Sequence, residues 1–105
     1  MTTETLPFRH IQFTTVNMAC RQNLPSLLTA WLPDGRRVGD EWTARNPTRA
    51  DRRPGSFKIN IQTGRWADFA TGDKGGDPVS LYAYLNGLSQ GQAARELIET
   101  WGMDG

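Results

Sequence analysis

The sequence predicts an α+β fold, a small antiparallel β-sheet with an N-terminal helix before it and two C-terminal helices after it. Three observations carry this expectation. Residues 56–61, Ser-Phe-Lys-Ile-Asn-Ile, alternate polar and apolar side chains with a period of two, the pattern of a strand with one buried face. Gln62-Thr63-Gly64 then supplies a tight turn with a glycine free to adopt positive φ. Flanking this hairpin, residues 17–31 and 77–101 place apolar side chains at helical spacing between recognisable start and stop signals.

The elements follow in chain order. Residues 1–16 read as an arm with a short strand at Ile11-Gln12-Phe13, and residues 17–105 as a single domain. Residues 17–31 form a helix in two pieces, because Pro25 belongs in a first helical turn. Leu24, Leu27, Leu28 and Trp31 share its apolar face, and Pro33-Asp34-Gly35 stops it. Residues 38–45 form a strand with Trp42 and Ala44 on one side and Glu41 and Thr43 on the other. Residues 46–55 are a loop rich in Arg, Pro, Asp and Asn. Residues 65–70 return as the hairpin partner and bring Trp66 and Phe69. Asp77 caps a helix that has Pro78 at its first position and ends at Asn86-Gly87. Ser89 and Gln92 form a capping box for a last helix running to Trp101, with Ala93, Ala94, Leu97, Ile98 and Trp101 facing the core.

Size and composition narrow the function. A chain of 105 residues buries roughly 65% of its unfolded surface, enough for one core. Cys20 is the single cysteine and has no internal disulfide partner. With His10 it offers two ligands, whereas structural zinc takes four. No apolar run reaches the ~20 residues of a membrane span, and the first residues lack the apolar core of a signal peptide. The expectation is a cytoplasmic protein with no membrane partner and no cofactor. Net charge is +1, yet nine basic residues face five acidic ones between Arg36 and Lys74. Such asymmetry points to a basic face on a nearly neutral protein.

The basic stretch is where the sequence offers chemistry. Arg45, Arg49, Arg52, Arg53 and Lys58 lie within fourteen residues that hold one acid, Asp51. Arginines can fork onto phosphate oxygens. Lys74 adds a further cation, and Trp42, Phe57, Trp66 and Phe69 are interleaved with the run. Aromatics beside cations can stack unpaired bases. A small sheet also needs large side chains inside it, so at least two of the four belong to the core, and Trp66, beside Arg65, is the expected exposed stacker. The glycine-rich residues 71–77 lack the order of a phosphate-binding P-loop. No nucleophile–base set or HExxH pattern is present, so no catalytic or metal residue is assigned.

The region from Trp42 to Asp77 resembles the zinc-ribbon domain at the front of bacterial and phage DNA primases. That family has a Cys-Pro-x-His element, a Pro-Ser-Phe strand, a hairpin leading to Cys-x-x-Cys, and a Gly-Gly-Asp that closes onto a helix. Here the corresponding residues are Asn46-Pro47-Thr48-Arg49, then Pro54-Gly55-Ser56-Phe57 with Gly55 inserted, then Asp68 and Thr71. Gly75-Gly76-Asp77 and the Ser80-Leu81 and Tyr84 of the next helix are kept. The resemblance spans roughly residues 32–102 and implies a zinc-ribbon-like sheet without its metal. It implies that Asn46, Arg49, Asp68 and Thr71, at the ligand positions, form a polar cluster in which Arg49 donates to Asp68. It further implies a non-catalytic module of a mobile-element DNA primase or primase–helicase. Its expected partners are single-stranded DNA and a catalytic primase, polymerase or helicase domain or subunit. Arg45, Arg49, Arg52, Arg53, Lys58 and Lys74 would hold phosphates and Trp66 would stack. The alternative is an interaction module that docks to a replicative polymerase or helicase subunit.

Overall fold

The computed structural model describes residues 12–104. Among these residues lie four helices and a five-stranded antiparallel sheet, an α+β fold. Helix α1 (Phe13–Gln22) and helix α2 (Leu24–Trp31) come first. Strands β1 (Arg36–Val38), β2 (Glu41–Ala44), β3 (Phe57–Asn60), β4 (Trp66–Asp68) and β5 (Lys74–Gly75) follow as a meander in the order β1-β2-β3-β4-β5. Helices α3 (Pro78–Asn86) and α4 (Gln90–Glu99) complete the chain.

Several boundaries differ from the sequence reading for physical reasons. Phe13 opens α1 rather than ending a strand, and the helix begins four residues before position 17. Burial of Val16 at 2% exposure in the helical core outweighs the weak helix propensity of Thr14, Thr15 and Val16. Ile11 and His10 lie outside the described residues. The strand expected at 38–45 is a hairpin, with Gly39 and Asp40 turning β1 onto β2 and Val38 opposite Glu41. The sheet gains a further member at β5, which pairs Lys74 with Ala67 and Gly75 with Trp66.

The two expected caps are present. The Asp77 side chain accepts from the Ser80 amide and the Ser80 hydroxyl closes the box, with Pro78 in the first turn. Ser89 and Gln92 do the same for α4. The Val79 amide, another orphan donor of that first turn, donates to Oδ1 of buried Asn17 at 2.9 Å. A side chain of α1 thus helps cap α3 and locks the two helices together.

Helix α3 is apolar on nearly all sides because it lies between two cores. Val79, Tyr82 and Ala83 face Val16, Cys20 and Leu27 of α1 and α2 and Ala93, Ala94 and Leu97 of α4. Leu81 faces Leu24, Leu28 and Leu32 and the inner face of the sheet, where Ala44, Phe57, Ile59 and Trp66 are buried. Gly64, at φ +80°, turns β3 into β4 so tightly that an added Cβ would meet Pro78 Cδ at 2.5 Å. The hairpin tip therefore presses on the start of α3. With the helices stacked on one side, the other face of the sheet is open.

Candidate nucleic-acid interface

Successive strand residues point to opposite faces, so the pairing register determines what the open face presents. Phe57, Ile59 and Trp66 go inward. Lys58 pairs with Thr43 on one side and Ala67 on the other; Thr43 pairs with Arg36, and Ala67 with Lys74. Arg36, Thr43, Lys58, Ala67 and Lys74 thus form one row across all five strands. Three cations alternate with two small residues along it. With strands ~4.8 Å apart, neighbouring cations of the row stand about 10 Å apart at their backbones. Phe69 follows Ala67 by two residues and Arg65 precedes it by two, extending the open face along the direction of β4. Of these, Lys58, Arg65, Ala67, Phe69 and Lys74 line a groove of about 710 Å³ together with Glu41, Gly75 and Gly76.

The cations are not equally available. Arg45 Nε lies 2.9 Å from Asp34 Oδ2, a brace between the α2–β1 turn and the end of β2. Arg49 is committed to Asp68 and Asp51. Lys58 Nζ stands 3.9 Å from Glu41 Oε1, a loose exposed pair that contributes little. Arg36, Arg65 and Lys74 on the sheet, and Arg52 and Arg53 on the loop 46–55, are exposed. Their side chains make no hydrogen bond or ion pair to another described residue.

The aromatic assignment is corrected. Trp66 is 6% exposed, its Nε1 donates to Ser80 Oγ at 3.0 Å, and its ring centroid lies 4.5 Å from that of Tyr84. It is a core residue and cannot stack an incoming base. Phe69 is 72% exposed and stands on the open face beside Lys58 and Lys74. Trp66 and Phe69 are three residues apart, so a strand must send them to opposite sides. Trp66 opposite Ile59 takes the inner one.

Beneath this face lies a polar knot. The Asp68 side chain is fully buried. Its Oδ2 accepts from Arg49 Nε and Asn46 Nδ2, both at 2.9 Å, and its Oδ1 accepts from the Ala70 amide at 2.9 Å. The Arg49 hydrogen bond, against the opposing effect of burial and with help from Asn46 and Ala70, holds this carboxyl well below the ordinary carboxylate range. Asp68 in turn raises the already high Arg49 pKa. Of the four positions that the resemblance pairs with ligands, Asn46, Arg49 and Asp68 converge. Thr71 does not join them by its side chain, which accepts from the Asp73 amide on the exposed loop at 3.2 Å.

Tyr84 is the member the sequence reading missed. Its Oη accepts from Asn46 Nδ2 and donates to Asp73 Oδ2, both at 2.8 Å. The knot therefore ties the arginine loop, the end of β4, the loop before β5 and helix α3. No protein-family model matches the chain, and no curated protein matches its sequence. Among the described residues no three His, Cys, Asp or Glu side chains are grouped as a metal site. No helix among them is long and apolar enough to cross a membrane. What the arrangement offers chemically is a row of cations carried on a fixed sheet, with one exposed aromatic ring beside it.

Proposed function

We propose that this chain is a non-catalytic module that binds single-stranded DNA on the open face of its sheet and serves a mobile-element DNA primase or primase–helicase. The observation that carries the reading is the register that aligns Arg36, Lys58 and Lys74 in one row, with Arg65 and Phe69 beside it. Phosphates are held by these cations and by Arg52 and Arg53, which extend from the adjoining loop. Phe69 takes the stacking role. Single-stranded rather than duplex DNA is the ligand, because a stacking ring needs an unpaired base face. Asn46, Arg49 and Asp68, three of the four positions that the resemblance pairs with metal ligands, together with Tyr84 hold the arginine loop against the sheet in this reading.

Val38 and Phe69, exposed at 60% and 72% on the open face of the sheet, favour a second reading in which a polymerase or helicase subunit docks there. A fluorescence-anisotropy titration with labelled single-stranded and duplex oligonucleotides at several salt concentrations separates the two. The four sheet cations give a slope of log affinity against log salt of about −3, and about −4 with Arg52 and Arg53, and duplex should bind more weakly. Absence of binding at low salt, or affinity indifferent to salt, overturns the DNA reading.

A further inference from the structure

We infer that the groove over β3, β4 and β5 seats a free nucleoside triphosphate, a ligand that needs no polynucleotide. The inference shares the sheet face with the reading above but not its ligand. The groove encloses about 710 Å³, inside the roughly 300–1,000 Å³ range of small-molecule sites. Its charge and shape match a molecule that is planar at one end and polyanionic at the other.

The register sets out the two ends. Lys58 and Lys74 flank Ala67 on neighbouring strands. Arg65 and Phe69 lie two residues to either side of Ala67, about 7 Å away each and so about 13 Å apart. Three cations therefore share the groove with one carboxylate, Glu41, which stands 3.9 Å from Lys58. An isolated phosphate or a single base would use only part of this arrangement. A nucleoside triphosphate lying along β4 uses all of it. The base stacks on the 72%-exposed ring of Phe69, the chain of phosphates passes between the two lysines as point charges, and the guanidinium of Arg65 forks onto the terminal phosphate.

The floor leaves room for such a ligand. Ala67 contributes only a methyl group, and at Gly76 an added Cβ would meet nothing within 4 Å. Gly75 is different, since a Cβ there would point inward at Trp66 Nε1, 2.3 Å away. That indole is pinned by Ser80, so the floor of the groove is backed by a rigid core rather than by a mobile side chain.

The test is a competition assay on the full 105-residue chain with ATP carrying a fluorescent label on its ribose. Unlabelled ATP should displace the probe in the millimolar range or better, while adenosine and inorganic tripolyphosphate each compete at least tenfold more weakly. Phe69→Ala should weaken ATP by about fivefold or more, the low end of a base–aromatic stack, and Lys74→Gln should weaken ATP without affecting adenosine. Both side chains are exposed, so these variants keep the fold, which circular dichroism checks. Tripolyphosphate competing as well as ATP, or Phe69→Ala leaving ATP affinity intact, overturns the proposal. Oligonucleotide binding with no ATP displacement overturns it too and leaves the DNA reading standing, whereas ATP binding without oligonucleotide binding supports it and removes that reading.

Discussion

Replacing Asp68 by Asn removes one charge and changes one atom, and it should cost this protein a large part of its stability. The buried carboxylate accepts from Asn46 Nδ2 and Arg49 Nε on Oδ2, and from the Ala70 amide and Arg49 Nη2 on Oδ1. An asparagine must turn its NH₂ toward one of these donor pairs, so two donors lose their acceptor and face a third donor instead. Breaking a fully buried ion pair by removing one partner costs about 3–5 kcal/mol; with Arg49 31% exposed and still 3.4 Å from Asp51, about 2–4 kcal/mol is expected here, against roughly 5–15 kcal/mol available to a chain of this length. At about 4–5 °C per kcal/mol the melting temperature should fall by roughly 8–20 °C. Urea unfolding followed by tryptophan fluorescence reads this directly. A loss under about 1 kcal/mol would refute the reasoning, because the knot would then be a surface contact in energetic terms.

The same carboxylate gives the variant a pH signature. Its folded pKa lies below the ordinary carboxylate range, so the unfolded state binds its proton first as pH falls. Its contribution is therefore fully present above the unfolded value and drains away as pH drops from there through the folded one. Wild-type stability should decline in that acid window, and the Asn variant should decline less steeply.

Other expectations follow from the same geometry. Trp66→Ala should destabilise by about 3–5 kcal/mol through the cavity it leaves, measured by urea unfolding. Phe69→Ala should leave stability within about 0.5 kcal/mol yet weaken oligonucleotide binding by about 1–3 kcal/mol. Gly75→Ala should cost about 1–3 kcal/mol in the same unfolding assay, because its Cβ would lie 2.3 Å from Trp66 Nε1 and 2.5 Å from Ser80 Oγ. Cys20 is fully buried, and burial pushes its thiol up to about 12. It should react with a disulfide reagent at neutral pH only as fast as the protein opens, and rapid reaction of the native chain would contradict this placement.

Local rules were legible where they act over a few residues. The β3–β4 hairpin, the Asp77-Pro78 start of α3 and the Ser89–Gln92 box of α4 can each be read from adjacent letters, and each is present. Strands β1 and β5, three and two residues long, are too short to display a period and exist because a neighbouring strand offers them hydrogen bonds. The Arg45–Asp34 brace joins residues eleven apart across a turn that the sequence reading had not recognised. Tyr84 has an apolar helical position in the pattern, yet its ring packs on Trp66 while its hydroxyl reaches the knot. Periodicity assigns a face to such a side chain but not a partner to its tip. The exchange of Trp66 and Phe69 was available in principle, since the turn at Gly64 sets Trp66 opposite Ile59. It required the register and not merely the presence of two aromatics.

In the proposed complex, ligand meets the open side of the sheet. The most direct measurement is a map of amide chemical-shift changes as a short single-stranded oligonucleotide is titrated into isotopically labelled protein. Changes should concentrate at Arg36, Lys58, Ala67, Phe69 and Lys74 and extend to Arg52 and Arg53, with the helix α4 amides unmoved. Changes confined to α1 and α4, or a spectrum that does not respond at low salt, would contradict it.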